Sequence, residues 1–279
     1  MDEDLETRIH HLAEAEGALR VLRLAHVQAL AEEFGLPMRE VERMALEAEV
    51  LPRRYLRSVG TVGLKGQARL LRSTVAVVGL GGLGGSVAEG LARMGVGRLI
   101  LVDGDTFVDH NLNRQTLSTE ANLGRSKVET ARTRVAQVNS AVEVIAHALE
   151  ATTETLPRLL EGAEVVVDGL DRLPSRLMLQ AAAQALGIPM VHGAIGGYLG
   201  QVMTIFPGDP GLQALYGIGP LPERGIEAQQ GTPAGTPMMV AGGQIQEVVK
   251  LLLGQGEPLR RRLLFIDAES GWAEVVRLN

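Results

Sequence analysis

Leu12, Leu19, Leu22, His26 and Leu30 recur at helical spacing near the start of the chain, with Arg and Glu between them. That periodicity predicts helical structure across residues 1–50. Gly35 is a stop signal, and Pro37 can open a second helix carrying Val41, Met44 and Ala45. Two helices meeting at Gly35 would make Ala29–Glu47 a helix-turn-helix. The reading adopted is a helical arm, residues 1–52, packed on the main body or on a partner subunit.

From Ser73 the period changes. Thr74–Val78 is a short β-branched run ending in glycines, and reads as a buried strand. A helix over Leu83–Met94 and a strand over Arg98–Val102 follow. Ser126–Gln137 reads as helix, Val142–Ala146 as strand, and Leu156–Leu160 as a short helix. Val165–Val167 reads as a strand ending at Asp168, Arg176–Leu186 as helix, and Pro189–His192 as the start of a strand. Strands alternating with helices imply a mostly parallel sheet covered on both faces, an α/β fold. Beyond Gly193 the pattern is a strand over Gly200–Phe206 and a long loop over Pro207–Gly235. A helix over Thr236–Leu253 and two last strands, Leu263–Asp267 and Ala273–Leu278, complete it. The strands and helices from Ser73 onward are therefore expected to form one domain.

Composition narrows the chemistry. The chain has 279 residues, 46% hydrophobic, enough for one sizeable core and a small appendage. Its net charge of -6 makes nucleic acid a poor default partner. It has no cysteine, which removes disulfides, thiolate metal sites and any cysteine nucleophile. The acidic opening Met1-Asp2-Glu3-Asp4 is unlike a signal peptide. No apolar run approaches the ~18 residues of a membrane span. A cytoplasmic location is expected. Of 27 basic residues only Lys65, Lys127 and Lys250 are lysines.

The strand at Thr74–Val78 runs into Gly79-Leu80-Gly81-Gly82-Leu83-Gly84, a G-x-G-x-x-G between strand and helix. Glycine lets the backbone turn tightly and approach a nucleotide, and the helix N-terminus offers free N–H groups. Asp103 ends the next strand, about 20 residues on, where a carboxylate can accept from ribose hydroxyls. These features imply a Rossmann-like nucleotide site and leave NAD and ATP open. Asp105, Asn111, Arg114 and Lys127 come next. Two cations just past the second strand suit a triphosphate, because they neutralise charge on a departing pyrophosphate. Asp168 and Asp171 follow another parallel strand, so they belong at the same sheet edge. A carboxylate there can hold Mg²⁺ between phosphates.

At this point the chain resembles the ThiF/MoeB/HesA family, bacterial relatives of ubiquitin-activating enzymes. The resemblance rests on Arg54-Tyr55-Leu56-Arg57, Gly66-Gln67, the glycine loop and Asp103-Gly104-Asp105. It continues through Asn111-Leu112-Asn113-Arg114-Gln115, Gly124-x-x-Lys127 and Asp168-x-x-Asp171-x-x-x-x-Arg176. It spans about residues 53–279 and leaves the arm outside. It implies a mixed, mostly parallel sheet in a homodimer that uses ATP and Mg²⁺. Such a dimer would adenylylate the C-terminal glycine of a small ubiquitin-like sulfur carrier ending in Gly-Gly. By matching position, Gly79, Gly81, Gly82, Gly84 and Asp103 would hold adenosine, with Asp105 beside them. Asn111, Arg114 and Lys127 would hold phosphates, and Asp171 would bind Mg²⁺. Arg57 matches an arginine that the partner subunit inserts into the site.

The chain departs from the resemblance in three places. Many relatives hold zinc on two Cys-x-x-Cys pairs; the first pair corresponds to Leu212-x-x-Leu215, and no second pair follows Trp272. No such zinc site can form, and an apolar cluster is expected instead. The Gly231–Pro237 loop lacks the cysteine some relatives use for a thioester or persulfide, so sulfur would come from a separate donor. Asp171-Arg172 stands where Asp-Asn is usual. His192, His10-His11 and the Arg260-Arg261-Arg262 run read as structural or solvated. Tyr198 and Leu199 suit either a channel for an extended glycine tail or ordinary core. Competing readings are a tRNA-modifying dehydratase of the same fold, an NAD-dependent oxidoreductase, and a non-catalytic binding module.

Overall fold

The computed structural model describes residues 4–217, 225 and 227–278. The first unit comprises α1 (Leu5–Leu12), β1 (Glu14–Glu16), β2 (Leu19–Leu22), α2 (Leu24–Phe34), α3 (Met38–Glu47) and β3 (Val50–Pro52). The expected run of helix is thus broken. Gly17, at φ 63°, turns β1 back on β2, and β3 joins β2 in parallel. The leucines that looked helical come from different elements, yet Ile9, Leu22, Val27, Leu30 and Val41 fill one core. The α2–α3 turn forms as expected at Gly35, left-handed at φ 64°, with Pro37 preceding α3.

A buried polar joint fastens this unit to the rest. Tyr55 is almost fully buried and donates its hydroxyl to Glu42 Oε2 at 2.9 Å. Asn139 donates to the same hydroxyl at 3.0 Å and to the Ala92 carbonyl at 2.9 Å. Arg54 lies 3.1 Å from Glu42 Oε1 and also donates to Asn139. Burial pushes the Glu42 carboxyl pKa up, and Arg54 and Tyr55 oppose it. Around this joint Val21, Leu46, Leu51, Ala68 and Leu71 make a second apolar cluster.

The main body continues with α4 (Val59–Arg72, kinked at Gly63), β4 (Thr74–Val78), α5 (Gly84–Met94), β5 (Arg98–Val102), α6 (Lys127–Val138) and β6 (Glu143–His147). Next come α7 (Leu156–Leu159), β7 (Val165–Asp168), α8 (Leu173–Leu186), β8 (Met190–Gly196) and β9 (Leu199–Ile205). The stretch expected as one long loop holds α9 (Leu212–Tyr216) and α10 (Glu227–Gln230). Then come α11 (Gly235–Leu253), β10 (Arg262–Asp267) and β11 (Trp272–Arg277). The sheet order is β11-β10-β9-β8-β7-β4-β5-β6. β8, β7, β4, β5 and β6 are parallel; β9, β10 and β11 add antiparallel. This is the Rossmann-like mixed α/β fold expected.

Strands buried on both faces read as continuous apolar runs. Val75, Val77, Leu99, Leu101, Val165 and Val167 face one core, and Ala76, Val78, Ile100, Val102 and Val166 the other. The chain leaves β4 for β5 on one side and returns to β7 on the other, so strand order reverses beside β4. A crevice at such a reversal, at the strands' carboxyl ends, is where open α/β sheets bind ligands. Among the described residues no helix is long and apolar enough to cross a membrane.

Candidate active site

The loops after β4 and β7 meet at that crevice through their glycines. A Cβ on Gly84 would stand 1.8 Å from the Gly79 carbonyl oxygen, and one on Gly169 would stand 2.2 Å from it. Gly79 itself has φ 85°, and its own Cβ would lie 2.7 Å from Gly169. These glycines are required by backbone packing alone. Gly81 and Gly82 are different. A Cβ there meets only ordinary contacts, 3.5 Å from Gln115 Nε2 and 3.6 Å from Arg114 Cγ. Their bareness leaves an open approach to the start of α5, where no side chain caps the helix. Gly84→Ala is therefore expected to cost ~1–3 kcal/mol of stability through overpacking. Gly81→Ala should change stability by less than ~0.5 kcal/mol while weakening nucleotide binding. Urea unfolding beside calorimetric ATP titration checks both; equal stability losses would refute the distinction.

Asp103 closes the other side of the loop. Its Oδ2 accepts from Leu80 N at 2.6 Å and its Oδ1 from Asp105 N at 2.8 Å. Burial raises the pKa of this carboxyl, and the two backbone donors and Lys127 oppose the rise. Asp105 in turn accepts from Lys127 Nζ at 2.8 Å. The Lys127 side chain is 8% exposed and Asp105 75%. Lys127 is the first residue of α6, where a cation opposes the helix dipole. A cation buried against the dipole, with one exposed counter-ion, is costly for stability and suited to an anionic ligand. Its place is fixed by backbone bonds from Lys127 N to Asp105 O (3.0 Å) and from Phe107 N to Arg125 O (3.0 Å).

Arg114 packs along Gly82 and donates to the His110 carbonyl at 2.8 Å and Asn113 Oδ1 at 2.9 Å. Asn111 is buried and accepts from Val108 N at 3.1 Å. Gln115, which the sequence shows only within the Asn111–Gln115 motif, also reaches the loop. It is buried against Gly81, and its Oε1 has no hydrogen-bond partner among the described residues.

The two aspartates after β7 divide their work. Asp168 is fully buried; its Oδ1 accepts from Leu170 N at 3.0 Å and its Oδ2 faces His192 Nδ1 at 2.7 Å. Both its oxygens are occupied by the protein. Asp171 is exposed, and none of the described residues gives it a hydrogen bond or ion pair. Arg176 donates twice to the Leu170 carbonyl, at 3.0 and 2.8 Å, and so holds the Gly169–Arg172 loop against the glycine loop. A single free carboxylate fits Mg²⁺, which is commonly held by one or two carboxylates and the phosphates themselves.

Arg57 is not among these groups. It is exposed, and its charge acts on Glu16 of the N-terminal hairpin. A cavity of about 580 Å³ opens beside the phosphate residues. It is lined by Asn113, Gly197, Tyr198, Leu199, Thr232 and Asp267, among others. Asn113 donates to the Thr232 carbonyl at 3.2 Å, which joins the cavity to the Arg114 segment. Tyr198 and Leu199 are thus on a cavity wall, and Tyr198 is half exposed.

The ThiF family model matches residues 54–279. The chain belongs to the ThiF family. Its similarities include the SAMP-activating enzyme E1 of Haloferax volcanii, 38% identical over 81% of this chain and 84% of that one. The adenylyltransferase and sulfurtransferase MOCS3 of Aedes aegypti is 36% identical over 81% of this chain. The chain spans about half the length of the MOCS3 relatives, 53% of that one. Among solved structures, E. coli MccB with MccA-N7isoASN superposes with a TM-score of 0.72. It is 22% identical and covers 91% of this chain and 83% of that chain. PaaA superposes at 0.68, with 22% identity over 81% of this chain and 73% of that one. Both share this fold.

In this ThiF-family chain, Leu212 and Leu215 pack with Met203, Ile205 and Leu278 in an apolar cluster. The neighbouring basic run is not simply solvated. Arg260 and Arg261 both pair with Asp209, at 2.9 and 3.1 Å, and Asp209 is only 3% exposed.

Proposed function

We propose that this chain is an adenylyltransferase. It uses ATP and Mg²⁺ to activate the C-terminal glycine carboxylate of a small ubiquitin-like sulfur carrier ending in Gly-Gly. The observation that carries the reading is convergence. Arg114, Lys127 and Asp171 gather around one glycine loop, beside a cavity of about 580 Å³. The names of the archaeal and MOCS3 relatives support it.

The carrier carboxylate attacks the α-phosphorus; a P–O bond forms to the carboxylate and the bond to pyrophosphate breaks. No enzyme nucleophile is needed, so the protein supplies alignment and charge. Gly79–Gly84 and Asp103 hold the adenosine, and Asn111, Arg114 and Lys127 hold the phosphates. Asp105 steadies Lys127. Mg²⁺ on Asp171 would neutralise phosphate charge. Arg57 acts from the partner in a homodimer, the arm of residues 1–52 packs outside the catalytic body, and the reaction takes place in the cytoplasm.

Sulfur comes from a separate donor, because a covalent thioester or persulfide on the enzyme needs a readily ionised thiol. This chain has no cysteine and nine methionines, whose thioethers have no such proton. Carrier, ATP and Mg²⁺ should give carrier mass raised by one adenylate group, with unmodified enzyme. Mass spectrometry of the quenched reaction checks this. A thiol-cleavable species of summed enzyme and carrier mass, or no carrier adenylate at all, would overturn the reading.

A further inference from the structure

A line of buried and half-buried polar groups runs from the loop after β7 to the β8–β9 hairpin, which walls the cavity, and the proposed reaction does not use it. Asp168, at the end of β7, orients Leu170 N through Oδ1 and faces His192 Nδ1 at 2.7 Å through Oδ2. Gln244 of α11 donates to the Asp168 carbonyl at 2.9 Å. His192, on β8, is fully buried, and its Nε2 lies 3.4 Å from Gln201 Nε2 on β9. Gln201 Nε2 also donates to the Tyr216 hydroxyl at 2.7 Å, at the end of α9.

The hydrogens along this line follow from the acceptors. A carboxylate oxygen can only accept, so Nδ1 of His192 carries a proton. Burial drives the ring pKa down and favours the neutral form, although Asp168 opposes that. Nε2 is then a bare acceptor, and Gln201 must turn its NH₂ toward it. The second amide hydrogen reaches Tyr216. Hydrogen bonds joined in series in this way polarise one another and hold their groups in place.

The two ends of the line matter. Leu170 is next to Asp171, and the loop packs on the glycine loop. Gln201 is two residues from Leu199, on the cavity wall. We propose that His192, Gln201 and Tyr216 form a positioning relay that locks the Gly169–Arg172 loop to the β8–β9 hairpin, and so sets how Asp171 meets the cation on ATP. The proposal rests on the reading of the site as a Mg²⁺–ATP site. These are positioning residues: none touches substrate. Groups that orient a metal ligand from behind are typically worth 10–100-fold in metal affinity.

The test is a calorimetric titration of Mg²⁺ into the 279-residue chain saturated with ATP, beside an unfolding curve. His192→Ala should raise the half-saturating Mg²⁺ about tenfold, with ATP binding in EDTA unchanged. His192→Asn should restore most of the loss, because its amide nitrogen can replace Nδ1 against Asp168. If His192→Ala does not fold, Gln201→Leu is the second variant, with a smaller shift in the same direction. In wild-type protein, nitrogen-15 spectra should show the His192 ring protonated at Nδ1 and bare at Nε2. A lowered unfolding midpoint with unchanged Mg²⁺ dependence would make the relay merely structural and overturn the proposal, as would a bare Nδ1. If wild-type protein binds Mg²⁺ and ATP but adenylylates no carrier, the proposed function fails while the Mg²⁺ shift still decides the relay.

Discussion

Replacing Lys127 with alanine is expected to cut carrier-dependent ATP–pyrophosphate exchange by about 10²-fold or more, the usual scale for one contact to developing charge. Arg114→Ala and Asp171→Asn should act on the same scale. Lys127 gives the sharpest experiment because its structural and catalytic interests conflict. Its ammonium is buried, stands at the first residue of α6, and has one described partner, Asp105. Removing it relieves an unfavourable dipole contact. The carboxylate left behind is three-quarters exposed and is readily solvated. Stability should therefore hold or rise while activity collapses. The ammonium has three N–H groups, and one serves Asp105. Two remain for phosphate oxygens, so the lysine need not abandon Asp105 to bind ATP. Exchange assays with purified variant, beside its unfolding midpoint, check the point. Full activity would remove Lys127 from the mechanism, and an activity loss matched by unfolding would make it structural.

The same physics explains what was legible in the sequence. β4, β5 and β7 are buried on both faces, so they appear as uninterrupted apolar runs that few other structures produce. Site groups that follow a strand inherit its reliability. Asp103, Asp168 and Asp171 are assignable to one sheet edge from the sequence alone. The N-terminal hairpin was not legible. Its strands have three and four residues, too few to establish a period of two, and β1 carries Glu14 and Glu16. Leu12, Leu19 and Leu22 happen to fall at helical intervals across a turn that only Gly17 marks.

The relay was hidden for another reason. His192, Gln201 and Tyr216 have no local signature, and the sequence shows Asp168 only as another carboxylate at the same sheet edge. Only the pairing of β8 with β9, which sets His192 against Met203 and Ala194 against Gln201, brings the imidazole and the amide together. Gly169 has no local signature either. Its close approach to Gly79 is a fact of two loops, not of one motif.

Mixing an Arg57→Ala chain with a Lys127→Ala chain is expected to restore exchange activity that neither shows alone. Arg57 follows Tyr55, which packs by Gly95 and against Asn139, where β5 and β6 begin. The nucleotide loops lie where the strands end. A five-residue strand such as β5 spans roughly 16 Å, which puts the Tyr55 anchor of this segment at the opposite end of the sheet from the nucleotide loops of its own chain. An arginine held there would reach the site of a second copy. In a two-fold dimer, a hybrid holds one site with Lys127 from one chain and Arg57 from the other. Its second site lacks both. Equal mixing makes half the dimers hybrid with one of two sites intact, so about a quarter of wild-type activity should return. Dual-tag capture establishes whether subunits exchange. Exchange without recovered activity would show that Arg57 does not act across the interface, leaving its charge to its neighbour Glu16.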